Sequence, residues 1–196
     1  TTPEYFAKAY HGSADTDFSI PANVEFAEQI RQKWQNISGL QVDGVIAGRN
    51  IAPLNDNHKI KDHNSDEDKF VGIYHASTID EANEALACAS VNKYWQNLAD
   101  TKRLEIIAKV VDNIQKRRGD IIGAMALECG KPFVESDAEV SEAIDFGNFY
   151  SYSLTKMREN TVGLETKPKQ AVLVLSPWNF PFAIPAGGIF SGLIAG

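Results

Sequence analysis

Ala171-Val-Leu-Val-Leu-Ser-Pro-Trp-Asn-Phe-Pro-Phe-Ala-Ile184 decides how the rest of this chain is read. Five apolar residues, Ala171 to Leu175, predict a buried strand, too short a run for a helix. Ser176-Pro177 stops it, because proline cannot donate to a ladder. Pro181 sits where a helix can begin, and Phe182 to Gly196 is apolar and rich in small residues. The unit is therefore strand, tight polar turn, helix. That places Asn179 at the carboxyl end of a strand, where open α/β sheets hold their ligands.

Around that unit, 196 residues of 43% hydrophobic composition suffice for a core and about one domain. A net charge of -7 speaks against a nucleic-acid surface, which needs clustered Lys and Arg. No apolar run reaches membrane-spanning length, and the opening Thr1-Thr-Pro-Glu4 has no signal-peptide pattern. It also lacks a methionine, so the chain is read as a piece of a longer polypeptide. The two cysteines, Cys88 and Cys129, suggest reduced thiols in a cytoplasmic setting.

Ahead of the opening stretch, residues 1–21 read as an irregular polar arm. Val24, Ala27, Ile30 and Trp34 then recur at helical spacing. Val42 to Ile46 and Asn50 to Leu54 flank a glycine turn and predict a hairpin. Asn55 to Asp68 reads as a solvated loop, in which His58 and His63 beside Asp62 and Asp66 match no metal-ligand spacing. Phe70 to Tyr74 predicts a third strand. Thr78 and Glu81 form a capping box that opens a helix with Ile79, Ala82, Leu86 and Ala89 on one face. Cys88 lies within it as a packing thiol.

A further helix from Asp100 aligns Leu104, Ile107, Ala108, Val111 and Ile114, and Lys116-Arg117-Arg118 is expected to be its solvated end. Ile121 to Leu127 continues to Glu128-Cys-Gly-Lys-Pro132, where Gly130 caps and Pro132 blocks continuation. Phe133 to Arg158 is the longest helix. Val140, Ala143, Ile144, Gly147, Tyr150 and Leu154 share one face, and Glu135, Asp137, Glu139 and Glu142 crowd the start against the helix dipole. Gly188 and Gly192, four apart, allow close packing and do not form a dinucleotide-binding glycine fingerprint.

Ser176-Pro-Trp-Asn-Phe-Pro181, with Glu128-x-Gly-Lys131, resembles the aldehyde dehydrogenase family. The resemblance implies an α/β fold: the leading, truncated part of a cofactor domain, with a helical layer, a small hairpin, and the first strand and helix of a doubly wound sheet. It implies NAD as cofactor, with the Ser176, Pro177 and Trp178 backbone bordering its nicotinamide end. Asn179 would be the catalytic oxyanion donor, Phe180 an aromatic wall of the aldehyde site, and Glu128 a second substrate contact. No metal is implied. The reactive cysteine and general-base glutamate would lie beyond Gly196, so these residues alone are expected to be inactive.

Asp15 to Asn23 is similar to the connector ahead of the dehydrogenase module in bacterial bifunctional proline-utilisation proteins, which carry an upstream FAD-dependent proline dehydrogenase. Ala143-Ile-Asp-Phe146 and Asn148-Phe-Tyr150 resemble dehydrogenases that oxidise glutamate γ-semialdehyde, although an aromatic core stripe also explains them. The implied division is residues 1–38 as connector, 39–168 as hairpin, strand and helical layer, and 169–196 as the first strand–turn–helix. The partners implied are a small aldehyde and further copies of the parent. Two rivals stand beside this reading: an aldehyde dehydrogenase of another substrate class, and a non-catalytic module that self-associates through the hairpin or the Val140 to Leu154 face.

Overall fold

The computed structural model describes residues 10–53, 58–65 and 68–196. The first nine residues of the arm, the predicted hairpin end at Leu54, the start of the Asn55–Asp68 loop and Asp66 lie outside them. Helix α1 (Pro21–Gln35) starts with proline at its first position, where a missing N–H costs nothing. Its inner face is Phe26, Ile30 and Trp34, packed on the main core. Val24, expected there, is exposed.

Five short strands follow: β1 (Leu40–Val42), β2 (Gly44–Ile46), β3 (Arg49–Ile51), β4 (Lys59–Lys61) and β5 (Phe70–Tyr74). The expected hairpin is β2–β3, and its turn is Ala47-Gly48, both with positive φ (51° and 78°). That combination matches the right-handed twist of the flanking strands, at some cost for a residue with a Cβ. Val42 is not in the hairpin. It belongs to β1, which pairs parallel to β5, while β4 pairs antiparallel on the other side. β4 lies inside the expected Asn55–Asp68 loop, a correction. A three-residue Lys-Ile-Lys edge strand carries little apolar signal, and pairing with β5 is what orders it.

The capping box on α2 (Ile79–Val91) is present: Thr78 Oγ1 accepts from Glu81 N, and Glu81 accepts from Thr78 N. The expected apolar stripe of α2 is not covered, since Ile79 and Leu86 are exposed. Cys88 is half-buried. Asn92 caps the short α3 (Lys93–Asn97).

Helices α4 (Asp100–Lys116), α5 (Arg118–Cys129), α6 (Phe133–Asn160) and α7 (Ala183–Ala195) build the main core. Leu104, Ile107, Val111, Ile122, Met125, Val140, Ile144, Leu154, Phe190 and Ile194 meet there. The predicted stripes of α4 and α6 both point inward. The α6 face is thereby consumed, so the rival module cannot use it for self-association.

One charge reading is corrected. Arg118 is buried at the start of α5. Its Nε donates to Asp137 Oδ1 (2.6 Å) and its Nη2 to the Asp137 carbonyl and the Ser141 hydroxyl. Asp137 is correspondingly buried and also receives the Thr16 N–H and hydroxyl, both at 2.6 Å. Burial of both ions is tolerated because each is held by several hydrogen bonds besides the pair itself. Residues 10–17 have no regular structure, as expected of the arm, yet they run along α6: Ser13 N donates to Asp145, and Tyr10 packs edge-on against Phe149.

Ala171 to Leu175 is not a sheet strand. It pairs with no other segment among the described residues and is largely exposed. A ladder needs a neighbour to receive its N–H and C=O groups, and none lies alongside. The stretch instead rests on α7. Gly188 has room only for hydrogen, because a Cβ there would lie 2.7 Å from Val174. Gly192 faces Val172 more loosely. Leu173 and Leu175 point away and are 81% and 82% exposed.

Candidate active site

The sequence forces α5 to end at Gly130, whose φ of 63° provides the left-handed cap. The chain then turns so that Cys129 and Lys131 face the Ser176–Phe182 loop. From α6, Glu139 reaches the same place; its side chain is 1% exposed. Glu139 Oε1 accepts from Phe182 N (2.7 Å) and Ala183 N (2.9 Å), two of the amides at the start of α7 that have no partner within the helix. Its other oxygen takes Lys131 Nζ. Lys131 Nζ also donates to the Asn179 carbonyl (3.0 Å) and lies 4.2 Å from the Phe180 ring centroid. Cys129 Sγ approaches the Trp178 carbonyl at 3.7 Å.

Asn179 therefore has a fixed backbone and an exposed carboxamide with no hydrogen-bond partner among the described residues. Helix capping by its side chain, the ordinary role for such an asparagine, does not occur: Glu139 does that work. Ser176, Pro177 and Trp178 are exposed beside it, and Trp178 is 80% open.

Glu128 and Phe180 separate. Glu128 lines a cleft of about 470 Å³ with Trp34, Ile121, Ala124, Met125, Pro181 and Phe182. Phe180 is turned to Lys131, and Phe182 and Trp34 are the aromatic residues that line the cleft. Burial raises the Glu128 carboxyl above its usual range, opposed by His63. The Cys129 thiol is also raised, by burial and then by Glu128 and Glu139, against Lys131. A thiol so placed is held protonated, the opposite of what a nucleophile requires.

Lys131 and Glu139 contact the Asn179 loop and were not singled out as site residues in the sequence reading. Lys131 was visible only as part of a motif. Glu139 is grouped in the sequence reading with the acids that crowd the start of α6 against its dipole, although it adjoins Val140 on the inward face.

The family model described as the aldehyde dehydrogenase family matches residues 53–196. The chain belongs to this family. Among curated relatives, the 1-pyrroline-5-carboxylate dehydrogenase of Geobacillus sp. (strain WCH70) is 27% identical over 192 residues, covering 92% of this chain. That of Bacillus cereus (strain B4264) is 27% identical over 199 residues. The chain spans 37% of the length of the first of these and 38% of the second.

The fold is that of part of an aldehyde dehydrogenase. Proline utilization A from Bdellovibrio bacteriovorus superimposes with a TM-score of 0.77 at 23% identity, over 95% of this chain and 20% of that one. A 1-pyrroline-5-carboxylate dehydrogenase from Thermus with bound NAD gives 0.76 at 21%, over 96% of this chain and 38% of that one. Within the aldehyde dehydrogenase frame, the unpaired Ala171–Leu175 segment leads directly into the loop that holds Asn179. No helix among the described residues is long and apolar enough to cross a membrane.

Proposed function

We propose that these residues are part of an NAD-dependent aldehyde dehydrogenase that oxidises L-glutamate γ-semialdehyde to glutamate. The observation that carries the reading is Asn179: its carbonyl is tethered by Lys131 while its carboxamide is left free and exposed. A primary amide donates without titrating. Aimed at an aldehyde oxygen on which negative charge develops, one such donor lowers the barrier by about 3 kcal/mol. On this reading the attacking thiolate is supplied by a cysteine outside these 196 residues, and the raised Cys129 thiol speaks against that residue in the role. The cleft between Glu128 and Phe182 is the candidate aldehyde entry, with Phe182 taking the place expected for Phe180.

The exposed Ser176–Trp178 stretch fits the planar nicotinamide end of NAD: Ser176 and Pro177 make no hydrogen bonds among the described residues, and the indole beside them is open. NAD, when bound, supplies the hydride acceptor. The substrate assignment is supported by the names of the two curated relatives, and the cofactor by the NAD-bound Thermus neighbour. An upstream FAD-dependent proline dehydrogenase is part of the same proposal, supported by the arm's likeness to that connector and by the proline utilization A neighbour.

The test is Asn179→Ala in the full-length enzyme. Turnover with pyrroline-5-carboxylate should fall about 100- to 1,000-fold with NAD affinity retained, and undiminished turnover would overturn the assignment. Parallel assays with succinate semialdehyde and betaine aldehyde decide the substrate class.

A further inference from the structure

Two buried charges grip the loop that carries Asn179, and neither hydrogen-bonds its carboxamide. Glu139 holds the chain on one side of it, at Phe182 N and Ala183 N. Lys131 is clasped by Glu139, and its side chain is nine-tenths buried. It holds Asn179 itself through the carbonyl oxygen, and Phe180 through the ring face. Resting on the oxyanion reading above, we propose that Lys131 and Glu139 are positioning residues that set where the Asn179 amide points.

The physical case begins with cost. A buried ion pair gains little stability over a well-packed apolar pair of the same size. An apolar pair, however, could bond neither the Asn179 carbonyl nor the two amides at the head of α7. Four directed contacts from the pair converge here on a loop whose residues 176–180 are exposed, so the gain lies in geometry. Geometry is what an oxyanion donor needs, since the useful donor–oxygen distance spans only about 2.7–3.1 Å and a displacement of about 1 Å can cost 100-fold in rate.

The pair also joins distant parts of the chain. Gly130 sets the direction of Lys131, α6 carries Glu139, and Pro181 delivers Phe182 and Ala183 to it. Both residues act through Asn179.

The experiment uses the full-length enzyme with the paired change Lys131→Met/Glu139→Gln. It removes both charges together, leaves no lone buried ion, and keeps a carbonyl able to cap α7. Turnover should fall roughly 10- to 100-fold with KM for NAD held within about twofold. Added to Asn179→Ala, the paired change should cost almost nothing more, because its effect runs through the missing amide. A purely structural role would lower the triple variant further, by the same factor as the pair alone, and that result overturns the proposal. So does full turnover in the paired variant while Asn179→Ala is impaired. Full turnover in Asn179→Ala overturns the oxyanion reading and this inference with it.

Hydrogen exchange gives a readout independent of activity. The Phe182 and Ala183 amides should lose protection in Glu139→Ala and keep most of it in Glu139→Gln. Unchanged protection in Glu139→Ala counts against the clamp even if that enzyme is inactive.

Discussion

At the scale of single residues, environment separates groups that look alike in sequence. Glu135 and Glu139 both sit in the first turns of α6, yet Glu135 is exposed and Glu139 is enclosed with three donors. A carboxylate at a helix N-terminus is favoured by up to ~2 kcal/mol in partly buried settings, and here the helix served is α7. Cys129 shows the converse. The thiolate is the species that alkylates, and burial with Glu128 and Glu139 raises the thiol above its ordinary value. The pH profile of iodoacetamide labelling at Cys129, followed by mass spectrometry, should therefore inflect above the ~8.5 of a free cysteine. An inflection at or below that value would show a thiolate-stabilising site. Cys129→Ser in the full-length enzyme should leave turnover close to that of the parent.

Among the elements, the arm depends on a buried ion pair. Asp137 is pushed up by burial, but the hydrogen bonds from Arg118 and Thr16 outweigh this, and its carboxyl is lowered overall. A lowered folded-state pKa contributes stability above the unfolded value of about 3.9, lost as pH falls through the folded one. The urea midpoint should therefore drop as pH is lowered from 5 to 3, with the arm released from α6. In Asp137→Asn that part of the acid dependence should flatten. The variant leaves Arg118 buried and uncompensated, so at pH 7 it should be less stable by roughly 3–5 kcal/mol. A steep acid dependence surviving in Asp137→Asn would place the titrating group elsewhere.

For the molecule as a whole, the apolar surface is uneven. One core joins α1 and α4 to α7, while Leu173, Leu175 and Trp178 stand open beside one another in sequence. Exposed apolar side chains favour association where they form a contiguous patch. Produced as these 196 residues, the chain should bind a hydrophobic dye and self-associate in sedimentation. Leu173→Lys/Leu175→Lys should reduce both without lowering helix content, and unaltered association would move the sticky surface to another face.

Wherever local chemistry decides, the sequence alone sufficed. The Thr78–Glu81 capping box, the Gly130 stop, the inward stripes of α4 and α6 and a glycine turn ahead of β3 follow from periodicity and from φ preferences that act within a few residues. The proline-bounded bend at Asn179 was equally legible, and it named the family. Tertiary structure alone decided the rest. It paired Lys59–Lys61 and Leu40–Val42 with β5 and left Ala171–Leu175 unpaired. It buried Arg118 against Asp137 nineteen residues on, and it brought Lys131 and Glu139 to a backbone more than forty residues away. The reason is that strand pairing and the burial of a charge are properties of two partners. A single stretch of sequence can propose one partner, and only the folded chain supplies the other.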